Sequence, residues 1–504
     1  MKKFAFFAAP LGVLAAAACA VPWYLGMQAE HELRAQVSNL SRSAQFPFSV
    51  ALMRYDRGWL SSSAVTRFTL KADADYGVEV RHEISQLPDP RDGWVHVHSV
   101  PQWSGPVKSA VDYYFGGQPV LSVDTVVGFD GSRTATLHSP AFSKPMSGSE
   151  AAKLNWGGLN GTLTANQDGR MTFNLIAPSF ALEAGEMHSG MKGLTLNADW
   201  NVRGTAAEWQ GETKLAVSQF QFAGPQQQVL LQNFSGAFYQ RAKGENVLIG
   251  YVLRLGFGSS QRPGEATDSF TNAVIDLELD QVNKKALAKY LDGLSGTGQT
   301  QMSAEAQNRM SAQLAVNLAS ELLRSSPVIR LKQLGVETPS GGVSAQATIA
   351  FDGSGLNAVQ VSPELLSRLK AKGNLEISGT LLRTQLQRKV RPQVEVALTQ
   401  QGGAKSEESI QALAAKLTED QLKSLTDSGI LHANGANFTI DAELTAGQVL
   451  VNGQPANQLF GGMFPSPSPA AQPATPLQSA TAPQPAVYVS PPRAAAAAIA
   501  NAPR

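Results

Sequence analysis

His96 and His98 alternate with Val95 and Val97, so in an extended segment both imidazoles leave the same face, within reach of one divalent cation. His82 would supply a third ligand if its own strand ran alongside. Spacing fixes no carboxylate partner, and two histidines on the polar face of a half-exposed strand are ordinary, so no metal ligand is assigned. Asp276, Glu278 and Asp280 also share one strand face. Paired carboxylates can divide general acid and base roles, but a solvated face is the expected reading here. Gly353-Ser354-Gly355 and Gly293-Leu294-Ser295-Gly296 lack a phosphate-binding lysine and read as turns. There is no Gly-x-Ser-x-Gly elbow, Walker loop, His-Glu-x-x-His helix or dinucleotide fingerprint. The sequence therefore names no catalytic or cofactor-binding residue, and a hydrolase without a recognisable motif is the least favoured function.

The elements that would position any such residues are mostly strands. From about residue 45 to 280, short runs with period-two alternation are separated by Gly, Asn, Asp and Pro, the pattern of antiparallel sheet with one buried face. Leu194, Leu196, Ala198 and Trp200 form one such run, and Val247, Ile249, Tyr251, Leu253, Leu255 and Phe257 a longer one. Leu215 and Val217 are followed, after a slip in parity, by Phe220 and Phe222, which predicts a β-bulge near Ser218 and Gln219. One short helix is expected over Gly105 to Phe115. Beyond Gln281 the spacing turns helical, with Met302, Met310, Leu314, Leu318 and Leu322 marking a helix that ends before Pro327. Strands return at Ala345 to Phe351 and Phe438 to Leu444, with helices predicted at Pro363 to Lys370 and Thr418 to Asp427 between them. Thr418 and Gln421 give that last helix a capping-box pattern, and Gly429 a stop.

Lys2 and Lys3 precede an uncharged run from Phe4 to Met27, long enough to cross a hydrocarbon layer of ~30 Å. Three fates compete for it. The favoured one is an uncleaved anchor with the body on the far side of the membrane. Ala18-Cys19-Ala20 also has the small-x-small form of a signal-peptidase site, and Ala16-Ala17-Ala18-Cys19 faintly resembles a lipoprotein box that would be acylated at Cys19. Cys19 is the sole cysteine of 504 residues, so the body has no disulfide and no thiolate metal site. A balance of 41 basic against 40 acidic residues argues against a nucleic-acid surface. From about Ala456 the chain is rich in Pro, Ala, Gln and Ser, and too poor in apolar surface to offset its ordering entropy.

Tyr55-Asp56-Arg57-Gly58-Trp59-Leu60-Ser61-Ser62 resembles a landmark of the YdgA-like family of bacterial envelope proteins. Four further stretches follow in the order of that family: Ser326-Pro327-Val328-Ile329, Thr338-Pro339-Ser340-Gly341-Gly342, Leu417 to Leu422, and Gly447 to Gly453. The likeness covers roughly residues 1 to 455 and stops at the Pro/Ala tail. It implies an inner-membrane anchor with a β-rich periplasmic body in a Gram-negative bacterium, and no reaction. Within the motif, Tyr55, Arg57, Gly58 and Trp59 are the residues singled out, without a role. Gly58 permits a close backbone approach, and Trp59 is expected to bury a large apolar area that anchors the first strand, a lipid or partner contact being the sharper alternative.

The expected fold is α+β and predominantly antiparallel β. Its parts are an anchor over 1–28, a β-rich domain over 29–280, a mixed α/β domain over 281–455 and a disordered tail over 456–504. Strands with so many apolar positions need cover, from a second sheet, from the helices at 281 to 325 and 406 to 427, or from a ligand. The leading function is a non-enzymatic interaction or scaffold role in the envelope; the helix at about Ser303 to Ser325 is expected to pack in the core, a surface for homo-oligomer contacts being its alternative. The alternative is an apolar groove that binds or transfers lipid.

Overall fold

Period-two alternation over runs of 10 to 17 residues builds strands long enough to pair along their whole length. In the computed structural model, the described residues are 24–456, except 39, 42–47, 71–72, 90–92, 147–148, 298–303, 356–366 and 401–405. The anchor segment up to residue 23, Cys19, Met302 and the Pro/Ala tail lie outside them. No described helix is long and apolar enough to cross a membrane.

A helix, α1, covers residues 24–38. The strands β1 (Phe48–Arg57), β2 (Ser61–Leu70), β3 (Asp73–Ser85) and β4 (Val95–Gln102) then meander, followed by the helix α2 (Gly105–Phe115) at the expected bounds. β5 (Ser122–Val127) and β6 (Arg133–Ser139) extend the meander. A side hairpin, β7 (Phe142–Met146) and β8 (Ser149–Trp156), leads into β9 (Leu159–Ala165), which pairs with β6. Six long strands follow in sequence order: β10 (Arg170–Ala184), β11 (Met187–Asn201), β12 (Gln210–Gly224), β13 (Gln227–Lys243), β14 (Asn246–Gln261) and β15 (Asp268–Asn283). β10 carries both β9 and β8 on one edge, at different heights.

The helices α3 (Lys284–Thr297) and α4 (Ala304–Arg324) intervene before β16 (Val328–Thr338), β17 (Gly341–Phe351) and β18 (Leu369–Ser378). The boundary expected near 281 falls here, yet β16 pairs with β15, so strands on either side share one sheet. The helices α5 (Gly379–Gln400) and α6 (Glu407–Asp427) form a hairpin around Val390, Val394, Ile410 and Ala414. β19 (His432–Asn434), β20 (Asn437–Thr445), β21 (Gln448–Val451) and β22 (Gln454–Pro455) complete the sheet, with β20 beside β18. All pairings are antiparallel.

The expected parity slip is one point on a crease crossing five strand pairs. Ladder pairing skips Pro178 and Gly193, then Ser218 and Asn233, then Gly256 and Asn272. Gly193, Asn233 and Asn272 hold φ of 64°, 56° and 52°. This left-handed conformation is one that Gly and Asn tolerate best. A residue so turned lets the next side chain change parity without changing side. Phe173 and Leu175 give way to Phe180 and Leu182, and Leu231 to Phe234, across the crease.

Several local expectations are corrected. Thr418 caps nothing: its helix starts eleven residues earlier, where the Ser406 hydroxyl accepts from the Ser409 amide at 3.1 Å, and Thr418 is buried mid-helix. Gly429, at φ 77°, does end that chain segment as expected. Gly293 to Gly296 lie inside α3, with Leu314 of α4 against Gly293. Leu369 and Lys370 open β18, and most of the helix predicted before them lies outside the described residues. α5 was not anticipated, although Leu382, Leu386, Val390, Val394 and Leu398 repeat every four residues. Its many charges and Pro392 mask that stripe.

Replacing Asn233 by Val puts a β-branched side chain at positive φ, and is expected to cost about 2 kcal/mol in urea unfolding. Asn233→Gly is expected to lie close to wild type.

Candidate functional site

Directly opposed residues in an antiparallel ladder project to the same side, so a single rung can be followed across the sheet. From β6 to β20 one rung reads Leu137, Gly161, Leu175, Leu196, Leu215, Gly236, Leu253, Ile275, Leu334, Ala345, Leu375 and Ile440. No polar side chain interrupts it over twelve strands. At about 4.8 Å per strand, that is a stripe on the order of 50 Å. Neighbouring rungs repeat the pattern, with Phe238, Tyr251 and Leu277 on one and Ile329 and Ile349 on another. The reverse side carries Asn174, Asn197, Lys214, Asp276, Gln346, Asn374 and Asp441.

Much of the apolar face is half-open among the described residues. Phe220, Phe238, Tyr251, Ile275, Leu277, Ile329, Leu334 and Ile349 are between 38% and 45% exposed, although they point to the side where a core would lie. α3 and α4 touch β15, while α1 and α5 sit toward the two ends of the sheet. At the C-terminal end the start of α5 leans over the face, and Leu381 joins Val229, Leu231, Phe270 and Val336 around a cavity of about 960 Å³. That shared cavity places the residues beyond the crease on the same side as Val336.

At the N-terminal end α1 lies across the face. Leu25, Ala29 and Leu33 recur every four residues and pack on Ala64, Ile84, Val95, Val97 and Val127. A cavity of about 650 Å³ remains beneath, lined by Tyr24, Leu33, His82, Trp94, Val97 and Thr125 among others. The family motif holds this helix in place. The Tyr55 hydroxyl donates to the Gly26 carbonyl at 3.1 Å, and the Arg57 guanidinium pairs with Glu30. With Arg34 at 2.9 Å on its other side, Glu30 is held below the usual carboxylate range, chiefly by the hydrogen bond from Arg57. Gly58 makes the close approach expected of it: an added Cβ would stand 2.2 Å from the Ser61 carbonyl oxygen. Trp59 departs from expectation, since it is 55% exposed at the tip of the β1–β2 turn instead of buried.

His82 does not join His96 and His98. It opposes Ala64 and Ser99 on the apolar side, whereas His96 and His98 project to the other. There, His98 Nδ1 lies 2.7 Å and His96 Nε2 3.7 Å from Asp124, a carboxylate that the spacing did not reveal. Among the described residues no cluster forms a metal site. His82 is held between the Thr66 and Ser99 hydroxyls, each at 2.8 Å, and burial lowers its pKa from 6.5 to about 4.

The carboxylates of β15 are not a solvated face either. Asp280 is buried between Lys243 at 2.9 Å and Arg330 at 2.8 Å, and Glu278 accepts from the Tyr239 hydroxyl at 2.6 Å and from Lys332 at 3.1 Å. Burial opposes ionisation of both, but these hydrogen bonds outweigh it and hold both below the usual carboxylate range. They form an ion-pair ladder on the polar side of β13 to β16, a brace for the sheet opposite the apolar stripe.

The sequence profile of a bacterial protein family of unknown function, DUF945, matches residues 1–458. The chain belongs to that family. No curated protein matches it. The DUF945 match thus runs from the first residue through the end of the sheet, and covers every residue of the apolar face.

His82 should make stability depend on pH. Its folded-state pKa lies below the unfolded 6.5, so the unfolded chain takes up a proton that the folded one refuses. Stability should then be full above about pH 6.5 and fall by up to about 3 kcal/mol toward pH 4, at ~1.36 kcal/mol per pKa unit. His82→Asn should flatten that slope in urea midpoints measured between pH 7.5 and 4.5.

Asp280→Asn leaves Lys243 and Arg330 without their anion, and is expected to lower stability by about 2 kcal/mol at pH 7. Because the folded pKa of Asp280 is depressed, the difference from wild type should shrink as pH falls below 3.8.

Proposed function

We propose that the apolar face holds the acyl chains of lipids, and that the protein carries or presents lipid in the bacterial envelope without catalysing a reaction. The observation that carries this reading is the twelve-strand apolar rung together with the apolar positions beside it, where eight large side chains between Phe220 and Ile349 are close to 40% exposed. A contiguous apolar surface of that extent exceeds what soluble monomers usually leave open, and such patches mark ligand, membrane or partner contacts. The length of the stripe suits extended hydrocarbon better than a compact ligand. Its lack of charge and hydrogen-bonding groups suits chains rather than headgroups.

Within the family, we propose that the chain belongs with the YdgA-like members, and that residues 4–25 anchor it in the inner membrane with the sheet in the periplasm. The landmarks from Tyr55 to Gly453 and the two lysines before the apolar run support this reading. A scaffold role would use the same face to bind an apolar surface of a partner or of a second copy.

Native mass spectrometry with lipid extraction separates these readings. The chain solubilised from membranes is expected to carry phospholipid, and Phe238→Asp with Ile275→Asp, both at half-exposed positions, is expected to abolish most of it while leaving the fold intact. A lipid-free wild-type spectrum sinks lipid carriage, and a dimer mass in that spectrum favours the scaffold.

A further inference from the structure

The long axis of α1 gives the sheet two distinct edges. Gly26 lies against the Gln86 side chain at one of them, and the Ser41 hydroxyl accepts from the Val50 amide at 2.9 Å at the other. The first edge therefore receives the chain as it arrives from the uncharged segment before residue 24. Three turns meet there, because β1, β3 and β5 all end on that side.

Each of these turns carries exposed apolar side chains among its described residues. Trp59 and Leu60 stand on the first at 55% and 45%, Leu87 and Trp94 on the second at 55% and 37%, and Phe129 on the third at 50%. Trp94 and Phe129 touch edge to face at 4.9 Å, joining two of the turns. Tyr24, the first described residue of α1, lines the same cavity mouth as Trp94. Other turns on this edge are built differently: β9 to β10 is joined by Asn166, Gln167, Asp168 and Gly169, and β13 to β14 by Gly244 and Glu245. Among the described strand-to-strand turns of this edge, exposed large apolar residues stand only on those beside α1.

We propose that these three turns form a rim that inserts into the interface of a phospholipid bilayer, so that the cavity beneath α1 opens directly onto the lipid. Trp and Tyr favour the level of the headgroups, and Tyr24, the first described residue of α1, lies toward the end of the uncharged run. Asp130, beside Phe129, accepts from the Ser132 amide at 2.9 Å and hydroxyl at 2.6 Å, so its carboxylate is engaged within its own turn. The proposal rests on the reading that residues 4–25 anchor the chain, and it adds where the body touches the membrane.

The test uses the full chain with Cys19→Ser, reconstituted in vesicles of phosphatidylethanolamine and phosphatidylglycerol. Nitroxide labels are placed through Leu87→Cys, Phe129→Cys or, on the opposite edge, Glu186→Cys. Collisions of the labels at 87 and 129 with oxygen should rise severalfold, and those with an aqueous nickel chelate fall severalfold, relative to 186. Labels at 87 and 129 as open to nickel as the one at 186 overturn the rim. Alkaline carbonate washing of the same vesicles separates the two readings. Retention of the chain with nickel-accessible labels overturns the rim alone, and release with nickel-accessible labels overturns the anchor as well.

Discussion

A half-covered strand has only two sides, and a sheet of such strands exists only if every neighbour puts its apolar residues on the same one. That agreement is the constraint on which the rest of this protein depends. It runs from Val50 on the first strand to Val451 near the last, through a chain order interrupted by three helical insertions, with Ala237, Tyr239, Leu248 and Val252 packed together on the other side as its exception. The crease is the place where it was hardest to keep. Gly193, Asn233 and Asn272 take a conformation that costs other residues about 1–2 kcal/mol, and in return Phe180, Phe220 and Leu231 stay with the apolar side. The polar side is then free to carry charge, and Asp280 and Glu278 use it to tie β15 to β16 on one side and, across β14, to β13 on the other.

The motif around Tyr55 gains a physical meaning from this arrangement. Tyr55 and Arg57 oppose Ala64 and Ser62, so both leave the first strand on the apolar side. What they meet there is α1, through the Gly26 carbonyl and Glu30. The hydrogen bond and the ion pair hold a helix whose own apolar stripe has only Leu25, Ala29 and Leu33 to offer. The motif thus fixes how α1 closes over one end of the stripe, while the rest stays open.

How much of this could be read in advance follows the range of the interactions. Strand positions were legible because parity is a local property: the run from Leu194 to Trp200, the helix from Gly105 to Phe115 and the slip at Ser218 all appear where the pattern put them. Rungs were not legible, since nothing in one strand states which residue of the next will oppose it. The same limit hid Asp124 beside His98 and separated His82 from its expected partners by the thickness of the sheet. Trp59 was misjudged for a different reason. Large apolar residues are usually buried, but the tip of a tight turn leaves more than half of this one open. Thr418 was misread because its helix is longer than its apolar signal, Ser406 being the true start.

The rung from Leu137 to Ile440 has one further consequence. Its steps are chemically alike, aliphatic or glycine, and evenly spaced, so no position along it is marked as a destination. An apolar occupant would lose little by moving one strand on, since each contact given up is replaced by an equivalent one. A surface of that kind selects by the length and flexibility of what lies on it and not by any local shape. To an apolar occupant it would offer a track rather than a pocket.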